Sequence, residues 1–553
     1  MLYANRVLFT IFIVVPLYLS AQIEQKIIPL DSPVYDLIKT MYMEQGSSAP
    51  FPAYPWSIEE ARFLLEGIRE DTLTSVGKRS FALARDILWP EILYKERGGL
   101  SLNVETEINV ETYLKLESDT GWQYNYGDRS PVVKIDLDLG IDQWYYMGGS
   151  LDLRQDYFLA PIELETPIKN NWINWVFDLS YYDFQFPFRS HASTGGKHWN
   201  IQIGRDKLSH GPGHSGKLTL SDEPHYLDFI RFTTWWKYFK YSGGMVYLQP
   251  WLTGEEVKRR DAEGIKDFSK YFFFHRFDIN LLERINLSVT EGFMWGGKYP
   301  DLRFLNPLMV FHNFYEWEYA SSLLSAEVVF NPWKYLNIYA QTIWNQIQSQ
   351  YEKERYGATH IPRAMGWMAG IEGRVPLFNG YLLTGIEFVH TDPWLYIREN
   401  PLTSYHWRRR LLSNLKGAKP IITLPLGYLY GPDTNVLNIR VGHELAPFLK
   451  AGADFKFIED GIKKIDDPYE EGEEAALLRT PSSSNSLKPE YGKIVELFAS
   501  VSPLRFLSLT THLYFIEIKN FRHKPDKNIF DIQWIFSVNI KINRDILSKK
   551  RAE

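Results

Sequence analysis

The chain has 553 residues, 61 basic and 67 acidic, with no cysteine and 16% aromatic residues. A net charge of −6 argues against a nucleic-acid partner, which a strong basic excess would mark. The missing thiols exclude a disulfide framework, a lipoprotein anchor and a thiol nucleophile. This length fits several soluble domains, or one large barrel with an accessory piece. The 18 Trp and 34 Tyr favour the second, because such rings gather where lipid meets water. An aromatic-rich soluble core is the alternative.

Met1 to Ala21 carries one positive residue, Arg6, an apolar run from Val7 to Leu19 broken by Thr10 and Pro16, and a small-residue end at Ser20 and Ala21. This is the pattern of a secretory signal peptide. No later segment reaches the roughly 18 uninterrupted apolar residues of a spanning helix. The chain is therefore expected to be exported.

Residues 22–97 read as a small periplasmic helical bundle. Ser32 and Pro33 open a first helix in which Val34, Leu37, Ile38 and Met41 follow the i, i+3, i+4, i+7 spacing up to Gly46. Ser57 and Glu60 are spaced as a capping box for a second, with Ala61, Leu64, Leu65 and Ile68 on one face. A third is expected between Ser80 and Lys95, interrupted by Pro90.

After Gly98 and Gly99 the period changes from 3.6 to 2. Leu100, Leu102, Val104, Ile108, Val110 and Leu114 alternate with Ser101, Asn103, Glu105, Glu107, Asn109 and Glu111. The pattern returns at Val133 to Ile141, at Ile285 to Trp295, and at Phe530 to Ile542. A last strand of this kind can pair with the first and remove the sheet edges, and a closed barrel is the one sheet that lipid tolerates. The fold class expected is mainly β: a transmembrane antiparallel β-barrel of about 16–18 strands over residues 98–543, followed by a charged tail at 544–553. A soluble β-sandwich or β-helix would also alternate, but not over so many segments.

Within the barrel, Gly204 to Asp222 reads GRDKLSHGPGHSGKLTLSD. Gly211, Gly216 and Lys217 match a phosphate-binding loop, but Leu218 stands where Ser or Thr is needed, and Leu218 to Leu220 alternate as a strand rather than opening a helix. The expected form is a strand, a tight turn and a strand in the barrel wall. The alternative to a binding role for Arg205 is an ion pair with Asp206 within the wall, and Gly211, Pro212 and Gly213 are read as a backbone turn. His210 and His214 lie four apart, yet the intervening G-P-G denies them a helical face, so no metal is expected. Three connections have the character of outer loops: 254–270 with mixed charge, 406–419 with Trp407 beside Arg408, Arg409 and Arg410, and 458–474 with eight acids against two lysines. Rings beside cations suit an acidic polysaccharide, which makes Arg205, Lys207, Lys217, Trp407, Arg408, Arg409 and Arg410 the candidate binding residues. No G-x-S-x-G elbow occurs, and nothing in the sequence signals catalysis or a cofactor.

The G-R-D strand end, the G-P-G turn and S-G-x-L-x-L-S-D resemble the signature of the Wzi-type capsule-assembly family. A second block, Glu291 to Trp317, is similar to that family's strand, glycine turn and L-N-P-L element, here Leu305, Asn306, Pro307 and Leu308. On this resemblance Gly204, Asp206, His210, Gly211, Pro212, Gly213, Leu220, Ser221, Asn306 and Pro307 are family positions with structural roles. Two departures stand out: His210 occupies a place where the family often has Trp, and the charged tail extends past the last strand. The resemblance implies a non-enzymatic outer-membrane protein that binds capsular or exopolysaccharide. Its partners would be that glycan, outer-membrane lipid and, through the helices, export machinery on the periplasmic side. A porin or substrate-specific channel and a glycan-processing envelope enzyme are the alternatives.

Overall fold

The computed structural model describes residues 24–48, 50–89, 100–155, 172–175, 178–262, 264–265, 267–314, 316, 318–346, 351, 354–355, 361–411 and 420–542. The signal-peptide pattern and the charged tail lie outside them.

Eighteen described strands form one closed antiparallel barrel. In chain order they are β1 Leu100–Lys115, β2 Val133–Ile141, β3 Tyr145–Gln155, β4 Arg189–Gly196, β5 Trp199–Asp206, β6 Leu227–Trp236, β7 Phe239–Tyr247, β8 Lys270–Leu281 and β9 Ile285–Gly296. The second half of the barrel comprises β10 Ala320–Trp333, β11 Leu336–Gln346, β12 Ala364–Leu377, β13 Gly380–Thr391, β14 Thr434–Leu445, β15 Leu449–Asp460, β16 Glu490–Leu504, β17 Leu507–Lys519 and β18 Ile529–Ile542. The seam closes as the alternation requires: β18 lies antiparallel to β1, with Thr106 opposite Ile542 and Lys115 opposite Gln533.

Alternation sorts the two faces. On β1, Leu102, Val104, Val110 and Leu114 are exposed outward, while Asn109, Glu111 and Tyr113 are buried inward. On β18, Trp534 and Ile540 face out, and Asp531, Gln533 and Ile535 face in. The short turns at one end carry an exposed ring at nearly every tip, among them Trp144, Trp236, Tyr238, Trp333, Phe378 and Phe448. An apolar outer belt with an aromatic girdle is the surface of a barrel that spans a bilayer.

Three helices, α1 Val34–Gln45, α2 Ile58–Glu66 and α3 Ser75–Leu88, cover the short-turn mouth. Gly46 ends α1 in the left-handed conformation that glycine favours (φ 79°), and Ser57 Oγ accepts the Glu60 N–H at 3.1 Å. The reciprocal half of that capping box is not used, because the Glu60 carboxylate reaches into the lumen to Lys240 on β7. The third helix starts earlier than its apolar spacing suggests, since Thr74 caps it through the Gly77 N–H at 3.2 Å, and it stops before Pro90. Ile38, Met41, Ala61, Leu65, Ala84 and Leu88 form the core shared by the three helices.

Two of the presumed outer loops hold regular structure. The 254–270 connection contains a helix, α4, over Gly254–Ala262. The basic segment forms an antiparallel hairpin in which His406–Arg410 pair with Ile421–Pro425.

Candidate functional site

The lumen is occupied from both ends, and the occupants meet in the middle. From the short-turn side, residues 50–54 pass inward, and Ala53 and Tyr54 pair with His210 and Ser209. From the long-loop side, the connection after β5 folds into the barrel. The strand–turn–strand expected in the wall is therefore corrected: the wall strand ends at Asp206, and the residues beyond it form a plug. Leu218 and Leu220 are fully buried, and the single bridge His210 to Leu220 is all that remains of the second strand. The plug's paired residues Ser209 and His210 face Tyr54 and Ala53 rather than a wall strand.

The plug is keyed to the barrel by a carboxylate. Glu387 on β13 accepts the backbone N–H groups of His214 (2.9 Å) and Ser215 (3.0 Å), while Tyr339 of β11 donates to it at 2.6 Å and also contacts the His214 ring at 2.8 Å. Consecutive N–H groups in a glycine-rich turn form a small anion site. Here a side chain of the wall fills it, which explains both the resemblance to a phosphate loop and its failure. Gly211 donates its N–H to Pro52 at φ 135°, and a Cβ on Gly213 would lie 2.4 Å from the Gly216 carbonyl, so side chains are excluded at both.

Above the plug, residues 392–411 and 420–433 turn back into the long-loop mouth. Tyr396 donates to the Leu218 carbonyl at 2.7 Å, the Ser221 N–H donates to Leu426 at 2.7 Å, and the Tyr405 ring meets Phe272 of β8 at 5.1 Å. Trp407, on the inner side of this lid, lies 5.3 Å from Tyr226 and 5.1 Å from His225.

The residues expected to bind glycan do not converge. Arg205 and Asp206 are not paired with each other, because neighbouring residues on a strand point to opposite faces. Arg205 is on the outer side, bonded to Asp228 at 2.7 Å and stacked 3.8 Å from the Tyr226 ring centre. Asp206 is inside, bonded to Arg189 at 3.2 Å. Lys207 and Lys217 line two separate lumen cavities of about 360 and 700 Å³. Trp407, Arg408 and Arg409 are each 1% exposed. Arg408 binds Glu256 and Asp466 at 2.6 Å, and Arg409 binds Asp183 at 2.5 Å. These three serve the lid, since burying a cation requires a bonded anion. Arg410 alone of the series is exposed. It lies 5.6 Å from the ring of Trp251, an exposed indole on the β7–β8 connection. On the same connection, Arg260 stacks 4.0 Å from the exposed Phe268 ring. Ring and guanidinium thus come together at Trp251 and Arg410, across a sequence separation that no local motif records.

The family positions fall in two places. Gly204, Asp206, His210, Gly211, Pro212, Gly213, Leu220 and Ser221 belong to β5 and the plug, with the His210 ring 5.1 Å from Phe274 inside the barrel. Asn306 and Pro307 lie outside it, where Asn306 turns the chain by accepting the Leu308 N–H at 3.1 Å.

Among the described residues, Glu256, His406 and Asp466 are close enough to share an ion, but the Arg408 guanidinium already holds both carboxylates and Lys270 contacts His406 at 2.7 Å. That donor set does not fit a cation. Two carboxyls outside the strands are shifted in opposite directions. Arg374 holds Asp36 of α1 well below the usual carboxylate range. Burial, reinforced by Asp222 and Asp128, pushes Glu223, between the two cavities, up to about 7.

These features define an outer-membrane β-barrel with an occupied lumen. The chain has the fold of Wzi, described as an outer membrane protein involved in group 1 capsule assembly in Escherichia coli and a carbohydrate-binding β-barrel; the TM-score is 0.58 at 12% identity over 93% of this chain and 99% of that one. OprD of Pseudomonas aeruginosa aligns at TM-score 0.41 and 9% identity over 80% of this chain and 95% of that one, and OccD3 of the same organism at 0.40 and 7% over 80% and 91%. A scan of protein-family models and a search of curated proteins give no match.

Proposed function

We propose that this protein is a non-catalytic outer-membrane lectin that holds an acidic surface polysaccharide at the long-loop face and assists capsule or exopolysaccharide attachment. The observation that carries the reading is the exposed Trp251–Arg410 pair on the barrel's long-loop side, on a fold shared with a carbohydrate-binding barrel. An indole stacks on the apolar face of a pyranose, and a guanidinium recognises its carboxylate. The filled lumen favours this over a channel, whose conductance needs an aqueous path. The helical mouth faces the periplasm in this reading, and contact with export machinery would be made there.

Replacing Trp251 and Arg410 together with Ala is expected to release polysaccharide from cells into the medium while the barrel keeps its heat-modifiable mobility on gels. Unchanged retention by the folded variant removes this patch from the site. Steady single-channel conductance in planar bilayers would favour the porin alternative, and release of oligosaccharides from purified polysaccharide would favour the enzyme.

A further inference from the structure

After β9, residues 297–314 leave the barrel rim and fold down over the outside of the wall. The alternation on β8 and β9 establishes this side. Phe272, Phe274 and Met294 pack inward with the lumen core, so Phe273, His275, Glu291, Phe293 and Trp295 face outward. Yet Phe273, Phe293 and Trp295 are at most 2% exposed and His275 is 3%, because the connection lies on them. Phe304 stands 5.2 Å from both Phe273 and Phe293, Phe311 lies 4.4 Å from the His275 ring, and the His312 N–H donates to Glu291 at 3.2 Å.

His275 and Glu291 sit directly opposite each other in the β8–β9 register, which puts two polar side chains on a face that otherwise meets hydrocarbon. Polar groups on that face are costly; the flap covers His275 and gives the half-buried Glu291 a backbone donor. Its own outer surface carries large apolar prongs beside its polar residues: Leu308 is 87% exposed, Val310 51% and Leu305 44%. In water, prongs of this size would be a liability. They continue the lipid-facing band of the same wall, where Val289, Leu324 and Ile279 are also exposed. The charges beside them are neutralised internally, Lys298 by Glu316 at 2.8 Å and Arg303 by Asp301 at 2.6 Å.

We propose that residues 297–314 are a lipid-embedded flap, with Leu305, Leu308 and Val310 among the acyl chains of the outer leaflet, Phe311 shielding His275 and Phe304 covering Phe273 and Phe293. The occupant is lipid rather than a second copy of the chain, because the prongs are continuous with the lipid-facing belt. The absence of cysteine makes the test direct. Leu308→Cys, labelled with bimane in full-length protein folded into vesicles of brominated phosphatidylcholine, is expected to lose most of its emission to the lipid and little to aqueous iodide. It should match Val289→Cys on the wall and oppose Ser483→Cys in an outer loop. Iodide quenching equal to that of Ser483→Cys overturns the proposal. So does protection from both quenchers accompanied by energy transfer between differently labelled copies, which would make the flap a contact between barrels. Leu308 packs against little, so the substitution leaves the fold intact, and gel mobility verifies it.

Discussion

The two mouths of the barrel differ in what their closing elements rest on. At the short-turn end the helices are tied to the wall by charge and hydrogen bonds. Lys39 bonds Glu372 at 2.6 Å, Arg374 bonds Asp36 at 2.7 Å, Tyr381 donates to Glu44 at 2.6 Å, and Lys240 pairs with Glu60 with both side chains buried. At the long-loop end the lid also has ion pairs, at Arg408 and Arg409, but where it meets the plug it rests on rings and aliphatic side chains, with Tyr396, Tyr405, Trp407, Leu426 and Tyr428 in one core with Leu218 and Leu220. Ion pairs are directional and fix how a helix bundle sits on a rim, whereas apolar burial is non-directional and fills an irregular mouth. The contrast teaches that one barrel can be occupied from both sides without either occupant belonging to the sheet.

Breaking the contrast from the helical side should have the largest effect. Lys240→Met leaves the Glu60 carboxylate buried without its cation, at a cost of about 3–5 kcal/mol. It should expose residues 24–89 to protease while the lid stays protected, and adding Glu60→Met should restore most of the loss. From the other side, Trp407→Ala should cost at the low end of ~3–5 kcal/mol and open the lid while the helices stay docked, read by the same protease pattern and by urea unfolding. If each variant loosens both mouths equally, the two closures are one unit and the contrast fails.

The smallest effect is on pH. Asp36 is held below the ordinary carboxylate range by Arg374, so its contribution to helix docking is present above about pH 4 and declines as the pH falls further, toward the folded value. The Asp36 side chain is 43% exposed, which limits the pair to ~0.2–1 kcal/mol. Asp36→Asn should lower stability at pH 7 and match the parent protein near the acid limit. An equal deficit at every pH would locate the effect in packing.

The period-2 strands, the helices and the closing seam were legible because each is written locally: outward Leu102, Val104 and Val110 alternate with inward Asn103, Glu105 and Asn109 within one stretch of chain. The candidate site was not. Arg408 and Arg409 read as surface cations, but their anions, Glu256 and Asp183, are 152 and 226 residues away in sequence. Likewise, the indole beside Arg410 is Trp251 and not the adjacent Trp407. Gly204 to Asp222 shows both limits. Its glycines mark a tight turn, but that the turn's N–H groups meet Glu387 depends on a strand formed far downstream.

The meeting of Ala53 with His210 inside the barrel also has a mechanical consequence. Tyr396 holds Leu218 of the plug, the plug holds Ala53, and Ala53 leads directly into α2. A chain of contacts thus runs through the lumen from the long-loop lid to the helices at the short-turn mouth, and the bonds of the plug to Glu387 and Gln341 tie it to the wall midway.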